Sequence, residues 1–80
     1  MNKLALLALK QELGASHLYH SSGMTHHWKP KYMFVFDGTA ARVPKTHAGS
    51  IESIKAYASD PIHRTQLPPL YKDYVNWEEV

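Results

Sequence analysis

No cysteine occurs anywhere in the 80 residues, which excludes disulfide staples, thiolate metal sites and cysteine nucleophiles together. Charge of one sign is lacking as well. Nine Lys and Arg stand against seven Asp and Glu, a formal net charge of +2. That is too balanced for a dedicated duplex-binding arm and too basic for a carboxylate-built mimic of DNA. Long apolar runs are missing. The longest, Leu4–Leu9, follows Lys3 and is ended by Lys10 after six residues. A secretory hydrophobic region needs about 7–15 such residues and a membrane span about 20. A cytoplasmic protein with no membrane partner is therefore expected. Catalytic signatures are missing too, with no G-x-S-x-G, H-E-x-x-H, Walker loop or paired carboxylates. Neither an enzyme nor a cofactor is the expectation.

What is present suffices for a core. Hydrophobic residues make up 44% of the chain, which argues against wholesale disorder. A single small domain, residues 1–80, is expected, with a partner or self-association supplying part of its stability. The charge is unevenly spread. Residues 1–59 hold seven basic and three acidic side chains, a balance of +4, and residues 60–80 hold two and four, a balance of −2.

Four elements can be read along the chain. Strong helix formers run from about Asn2 to Leu13, and Gly14 is placed to cap the end. Leu6, Leu9 and Leu13 share one face of that helix, and Leu4, Leu7 and Ala8 form a second. A helix with two apolar stripes needs two packing partners, which makes a homodimer through the N-terminal helix an expectation. Helical geometry can continue past Gly14 through His20, where Ser21-Ser22-Gly23 would stop it. A β-hairpin is expected over about 31–43, because aromatic and β-branched residues flank the turn pair Asp37-Gly38. A two-residue turn sets Phe36 against Thr39, Phe34 against Ala41 and Tyr32 against Val43, all on one face. Large rings opposite small residues leave room there for a helix.

A further helix is expected over about 51–59. Ser50 serves as its N-cap, Glu52 lies in its first turn and Pro61 forces its end. Ile51, Ile54, Tyr57 and Ala58 form its apolar stripe. A short C-terminal helix over about 69–77 is predicted from Pro69 at its first position and from Leu70, Tyr71, Tyr74, Val75 and Trp77 on one side. The fold class is α+β.

Chemistry-bearing residues are few. His17, His20, His26 and His27 have the spacing H-x₂-H-x₅-H-H, and a continued helix would put His17 and His20 on one face. Imidazoles bind zinc, but no cysteine or carboxylate partner stands at a ligand spacing, so no metal is expected. Lys29, Lys31, Arg42 and Lys45 lie beside Trp28 and Tyr32, a weak version of the cation and ring pattern of single-strand binders. Pro68-Pro69-Leu70-Tyr71 matches the PPxY pattern read in a polyproline conformation, in competition with the helix at Pro69. Tyr71, Tyr74 and Trp77 are residue types enriched at interface hot spots.

The order helix, histidine pair, hairpin, Val-Pro, helix resembles the HicA-type toxins, small RNA-cleaving proteins with a double-stranded-RNA-binding-like fold. Gly23-Met24-Thr25-His26-His27 is similar to their glycine-serine-histidine segment, which carries the catalytic histidine. Val43-Pro44, followed by His47 and the helix Ser50–Ala58, is similar to their second strand and its exit. The serine is missing here. The resemblance implies a basic RNA-binding or RNA-cleaving domain using His26 or His27, and this is the alternative reading.

The first reading is a small protein-binding module that blocks or modulates a larger protein or nucleoprotein complex. In form it looks like the phage-encoded inhibitors of host enzymes and defence systems, anti-CRISPR proteins among them. Tyr71, Tyr74 and Trp77 are its expected anchors. Lys29, Lys31, Arg42 and Arg64 are the expected steering charges towards an acidic or nucleic-acid-binding surface.

Overall fold

A computed structural model describes residues 2–24, 30–66 and 75–80. The chain forms α1 (Lys3–Leu13), β1 (His17–Met24), β2 (Pro30–Val35), β3 (Thr39–Pro44), α2 (Ile51–Ser59), β4 (Arg64–Gln66) and β5 (Val75–Glu79), with single 3₁₀ turns at Lys45–His47 and Pro61–His63. The five strands make one antiparallel sheet in the order β4-β3-β2-β1-β5. β4 and β5 therefore occupy its opposite edges.

Local signals account for both helices. Asn2 Oδ1 accepts from the Leu4 amide at 2.7 Å, satisfying one of the donors that every helix start leaves open. At the other end Gly14 takes φ +76°, a left-handed conformation that costs other residues about 1–2 kcal/mol. Its amide bonds Gln11 O at 3.1 Å and the Ala15 amide bonds Lys10 O at 3.0 Å, the paired closure of a Schellman motif. That closure ends the helix, so it does not run on through His20. Instead the Ser16 amide bonds Val35 O at 2.8 Å and the chain enters β1. α2 begins with Ser50 Oγ accepting from the Ser53 amide at 3.1 Å, and Pro61 follows its C-cap, Asp60.

The hairpin has the expected register, with Tyr32 opposite Val43 and Phe34 opposite Ala41. The Phe36 amide donates to Thr39 O at 2.7 Å across the turn, where Gly38 takes φ +80°. β1 pairs along the other side of β2, with Leu18 opposite Phe34 and His20 opposite Tyr32. Both helices lie on the face that carries Leu18, Tyr32, Phe34, Phe36, Ala41 and Val43, and add Leu6, Leu9, Ile54 and Ala58 to one core. Fully burying a side chain such as Phe34, Leu18 or Ile54 is worth roughly 1.5–3 kcal/mol. On the opposite face Met33 and Ala40 are also buried, while Tyr19, Val35 and Arg42 are half-buried.

The C-terminal element differs from the sequence expectation. Residues 75–79 form a strand along β1, with Trp77 opposite Ser21 and Glu79 opposite Tyr19, and not the end of a helix over 69–77. Residues 69–74 lie outside the described residues. The physical reason is that β1 offers an unpaired edge, whose amides and carbonyls β5 satisfies. The Val80 amide extends the pairing to Leu18 O at 2.9 Å. The described residues thus form two helices over a five-stranded sheet, an α+β arrangement. No helix among them is long and apolar enough to cross a membrane.

Candidate functional site

The two stripes read on α1 have different fates. Leu6 and Leu9 are buried and Leu13 packs against the core. Leu7 is half-buried, Ala8 is exposed, and Leu4 keeps 75% of its surface in water. Beside this outer stripe runs a shallow groove of about 320 Å³, lined by Ala5, Ala8, Leu9 and Glu12 of α1 and Ile51 of α2. Lys55 Nζ meets Glu12 Oε1 at 3.1 Å. Ile51 and Lys55 of α2 thus both stand against α1, and the two helices lie side by side. Ala5 and Ala8 carry only methyl groups, which keeps the groove open between the helices. An apolar stripe with a groove along it is the shape that receives aliphatic side chains of a partner.

Of the steering and anchoring residues expected from sequence, the four that are described, Trp77, Lys31, Arg42 and Arg64, lie on different strands. Lys29, Tyr71 and Tyr74 lie outside the described residues. Trp77, half-buried on β5, stands opposite Ser21, and Arg42 on β3 stands opposite Met33. Both therefore belong to the helix-free face, three strand spacings, or about 14 Å, apart. Lys31 is exposed on β2. Arg64 is on the helix side. Its guanidinium carbon lies 3.9 Å above the centre of the Phe36 ring, and Nε donates to Ala58 O at 3.0 Å. Those contacts tie β4 to α2.

The histidines are placed by strands and turns. His17 and His20 fall on opposite faces of β1, since an odd separation along a strand reverses the side chain. The shared helical face that the zinc reading required is therefore absent. His17 Nδ1 approaches Glu79 Oε2 at 2.8 Å and His20 Nε2 approaches Glu78 Oε1 at 3.7 Å. Among the described residues no group of three or more His, Cys, Asp or Glu is placed to hold a metal ion. His26 and His27 lie outside the described residues. A cluster that the sequence did not announce joins His47, Tyr57 and His63. The Tyr57 and His63 rings stack with centroids 3.7 Å apart and 4° between planes, and His47 tilts onto Tyr57 at 4.9 Å. Only the turn at Pro61, which folds His63 back over α2, brings these rings together. No spacing rule contains that signal.

In comparisons with known proteins, the chain matches no family model, no curated protein and no solved structure.

Proposed function

We propose that this chain is a protein-binding module that docks through the outer stripe of α1 and the adjoining α1–α2 groove, and so blocks or modulates a larger protein or nucleoprotein complex. The observation that carries this reading is Leu4, 75% exposed, at the head of a stripe that continues through Ala8 into the groove walled by Ile51. A leucine held in water on a helix costs burial worth about 1.5–3 kcal/mol, which a partner recovers. Trp77, Lys31 and Arg42 lie away from this surface and contribute at most to a second contact or to long-range steering. A small chain presenting such a surface suits the mode of action of phage-encoded inhibitors, whose form it resembles. A second copy of the chain, packed α1 against α1, is the other occupant of the same surface.

The test is affinity capture from host lysate with nuclease added, comparing the native chain with a folded Ala8→Glu variant. A protein retained by the native chain and lost by the variant supports the reading. Material that disappears on nuclease treatment, or that both chains retain equally, overturns it.

The second reading is a basic RNA-binding or RNA-cleaving domain. It is favoured by the order of α1, the hairpin ending in Val43-Pro44, and α2, the order on which the likeness to the HicA-type toxins rests. Incubation with RNA beside a His26→Ala, His27→Ala double variant decides it, because equal cleavage, or none, removes the catalytic version.

A further inference from the structure

Of the three aspartates in the chain, Asp37, Asp60 and Asp73, only Asp37 precedes a glycine. The pair Asp37-Gly38 closes the β2–β3 hairpin, and it is also reactive. Closing an aspartate Cγ onto the amide nitrogen of the next residue makes a five-membered ring. A glycine in that next position has no Cβ to obstruct the approach.

The structure leaves both reacting groups accessible. Asp37 and Gly38 are exposed. Gly38 takes φ +80°, and a Cβ built on it would meet nothing within 4 Å, so a ring has room to form. Among the described residues none bonds the Asp37 carboxylate or the Gly38 amide. The bond across the turn runs instead from the Phe36 amide to Thr39 O at 2.7 Å. Asp60 makes the contrast. Its carboxylate accepts from the Ile62 amide at 3.0 Å, and it is followed by Pro61, whose nitrogen carries no hydrogen to lose.

We infer that Asp37 is a site of spontaneous isoaspartate formation, and that the conversion loosens the β2–β3 turn. The Gly38 amide nitrogen attacks Asp37 Cγ. A C–N bond forms, the amide proton is lost, and one carboxyl oxygen leaves as water, giving a succinimide. Water then opens the ring. Attack at Cγ restores aspartate. Attack at the main-chain carbonyl carbon of Asp37 breaks its bond to the Gly38 nitrogen and leaves the chain running through Cβ and Cγ. One water leaves and one returns, so no oxidant, reductant or further reactant is needed.

The product places an extra methylene between Phe36 and Gly38, in a two-residue loop whose length sets the register of the hairpin. The Phe36 amide then loses its alignment with Thr39 O. Phe36 is also the ring on which the Arg64 guanidinium sits, 3.9 Å from its centre, so the disturbance reaches β4. The turn shares no residue with the α1–α2 groove, and the inference does not depend on how that groove is used.

The test keeps the chain warm at neutral pH, in buffer and in urea, and follows isoaspartate by enzymatic methylation of its free α-carboxylate. Peptide mapping then places the product. Isoaspartate is expected at Asp37 in both solutions and not at Asp60, with the folded chain reacting within a few-fold of the unfolded one. Asp37→Glu keeps the charge but has to close a six-membered ring, and should abolish the product. In the isolated isoaspartate form the amide shifts of Phe36, Thr39 and Arg64 should move while those of α1 stay. Reaction in urea alone would show that the folded turn protects Asp37, and overturns the proposal. Product at Asp60 in equal amount, no product in either solution, or native shifts at Phe36 in the isoaspartate form overturn it as well.

Discussion

Lys55 reaches from α2 to Glu12 on α1, Nζ to Oε1 at 3.1 Å, with both side chains about half exposed. A pair so wetted is worth only about 0.2–1 kcal/mol. Its position matters more than its strength, because Glu12 also lines the groove with Ala5, Ala8 and Ile51. Lys55→Ala is therefore expected to lower stability by no more than about 1 kcal/mol, an effect that shrinks at high salt. Urea denaturation at two salt concentrations measures this. A loss above about 2 kcal/mol, unchanged by salt, would mean that the pair is holding the helices together.

The groove itself gives a sharper expectation. Ala8→Glu and Leu4→Glu place a charge on a surface already in water, so each should change stability by less than about 0.5 kcal/mol. Each should nevertheless abolish partner capture, because docking would then bury an unpaired carboxylate. If the occupant is a second copy, sedimentation of the native chain will show concentration-dependent dimer that Leu4→Glu removes. Antiparallel packing of two α1 helices would also set Lys3 of one near Glu12 of the other. Variants that keep full capture and unaltered self-association would end the case for this surface.

Core burial separates the native face from the docking face. Phe34 is fully buried between both helices and the sheet, and Phe34→Ala should cost about 3–5 kcal/mol. Domains of this size have about 5–15 kcal/mol in total, so the variant should unfold at a much lower urea midpoint. Leu4→Ala, on the outer stripe, should leave the midpoint nearly unchanged. Comparable losses at the two positions would place Leu4 in the core and leave α1 with no outward stripe.

How far the fold could be read from sequence depended on where the information lay. Asp37-Gly38 between apolar strands is a local signal, and the pairing of Phe34 with Ala41 followed from it. Ser50 and Pro61 likewise bracketed α2 within a few residues of the chain. β1 carries no comparable signal, since Leu18 is the one fully buried side chain among those described in it, and His17, His20, Ser21 and Ser22 are polar neighbours in the sequence. Its identity comes from pairing with β2 and β5, which is a long-range fact. β5 was obscured in a different way, because aromatics three residues apart at Tyr71, Tyr74 and Trp77 imitate a helical face. The docking surface was half legible. The second stripe of α1 stood in the sequence, while the wall supplied by Ile51 required two helices lying side by side.

Backbone conformation alone should decide the two turn glycines. Gly14 and Gly38 have φ of +76° and +80°, and a β-carbon added at either would meet nothing within 4 Å. Gly49 has equal space without the positive φ. Gly14→Ala and Gly38→Ala should each cost about 1–2 kcal/mol from torsion, whereas Gly49→Ala should be near neutral. Thermal or urea midpoints of the three variants provide the comparison. Equal effects at all three would show that the left-handed conformation is not what these positions require.

Arg64 offers the clearest separation of structural charge from steering charge. Its guanidinium lies 3.9 Å above the Phe36 ring centre and Nε donates to Ala58 O at 3.0 Å. Lysine can supply the charge but not the planar stack together with an Nε donor. Arg64→Lys should therefore lose about 1 kcal/mol of stability, the combined worth of a cation–π contact and a hydrogen bond partly replaced by the ammonium. Association with a captured partner should be unaffected in rate and in salt dependence, because the net charge is unchanged and Arg64 lies outside the α1 stripe. Arg64→Gln then completes the argument. If Arg64 acts through its fold contacts, both variants are destabilised and neither binds more slowly once folded. If it acts as a steering charge, Arg64→Gln alone slows association at low salt, and Arg64→Lys leaves stability intact.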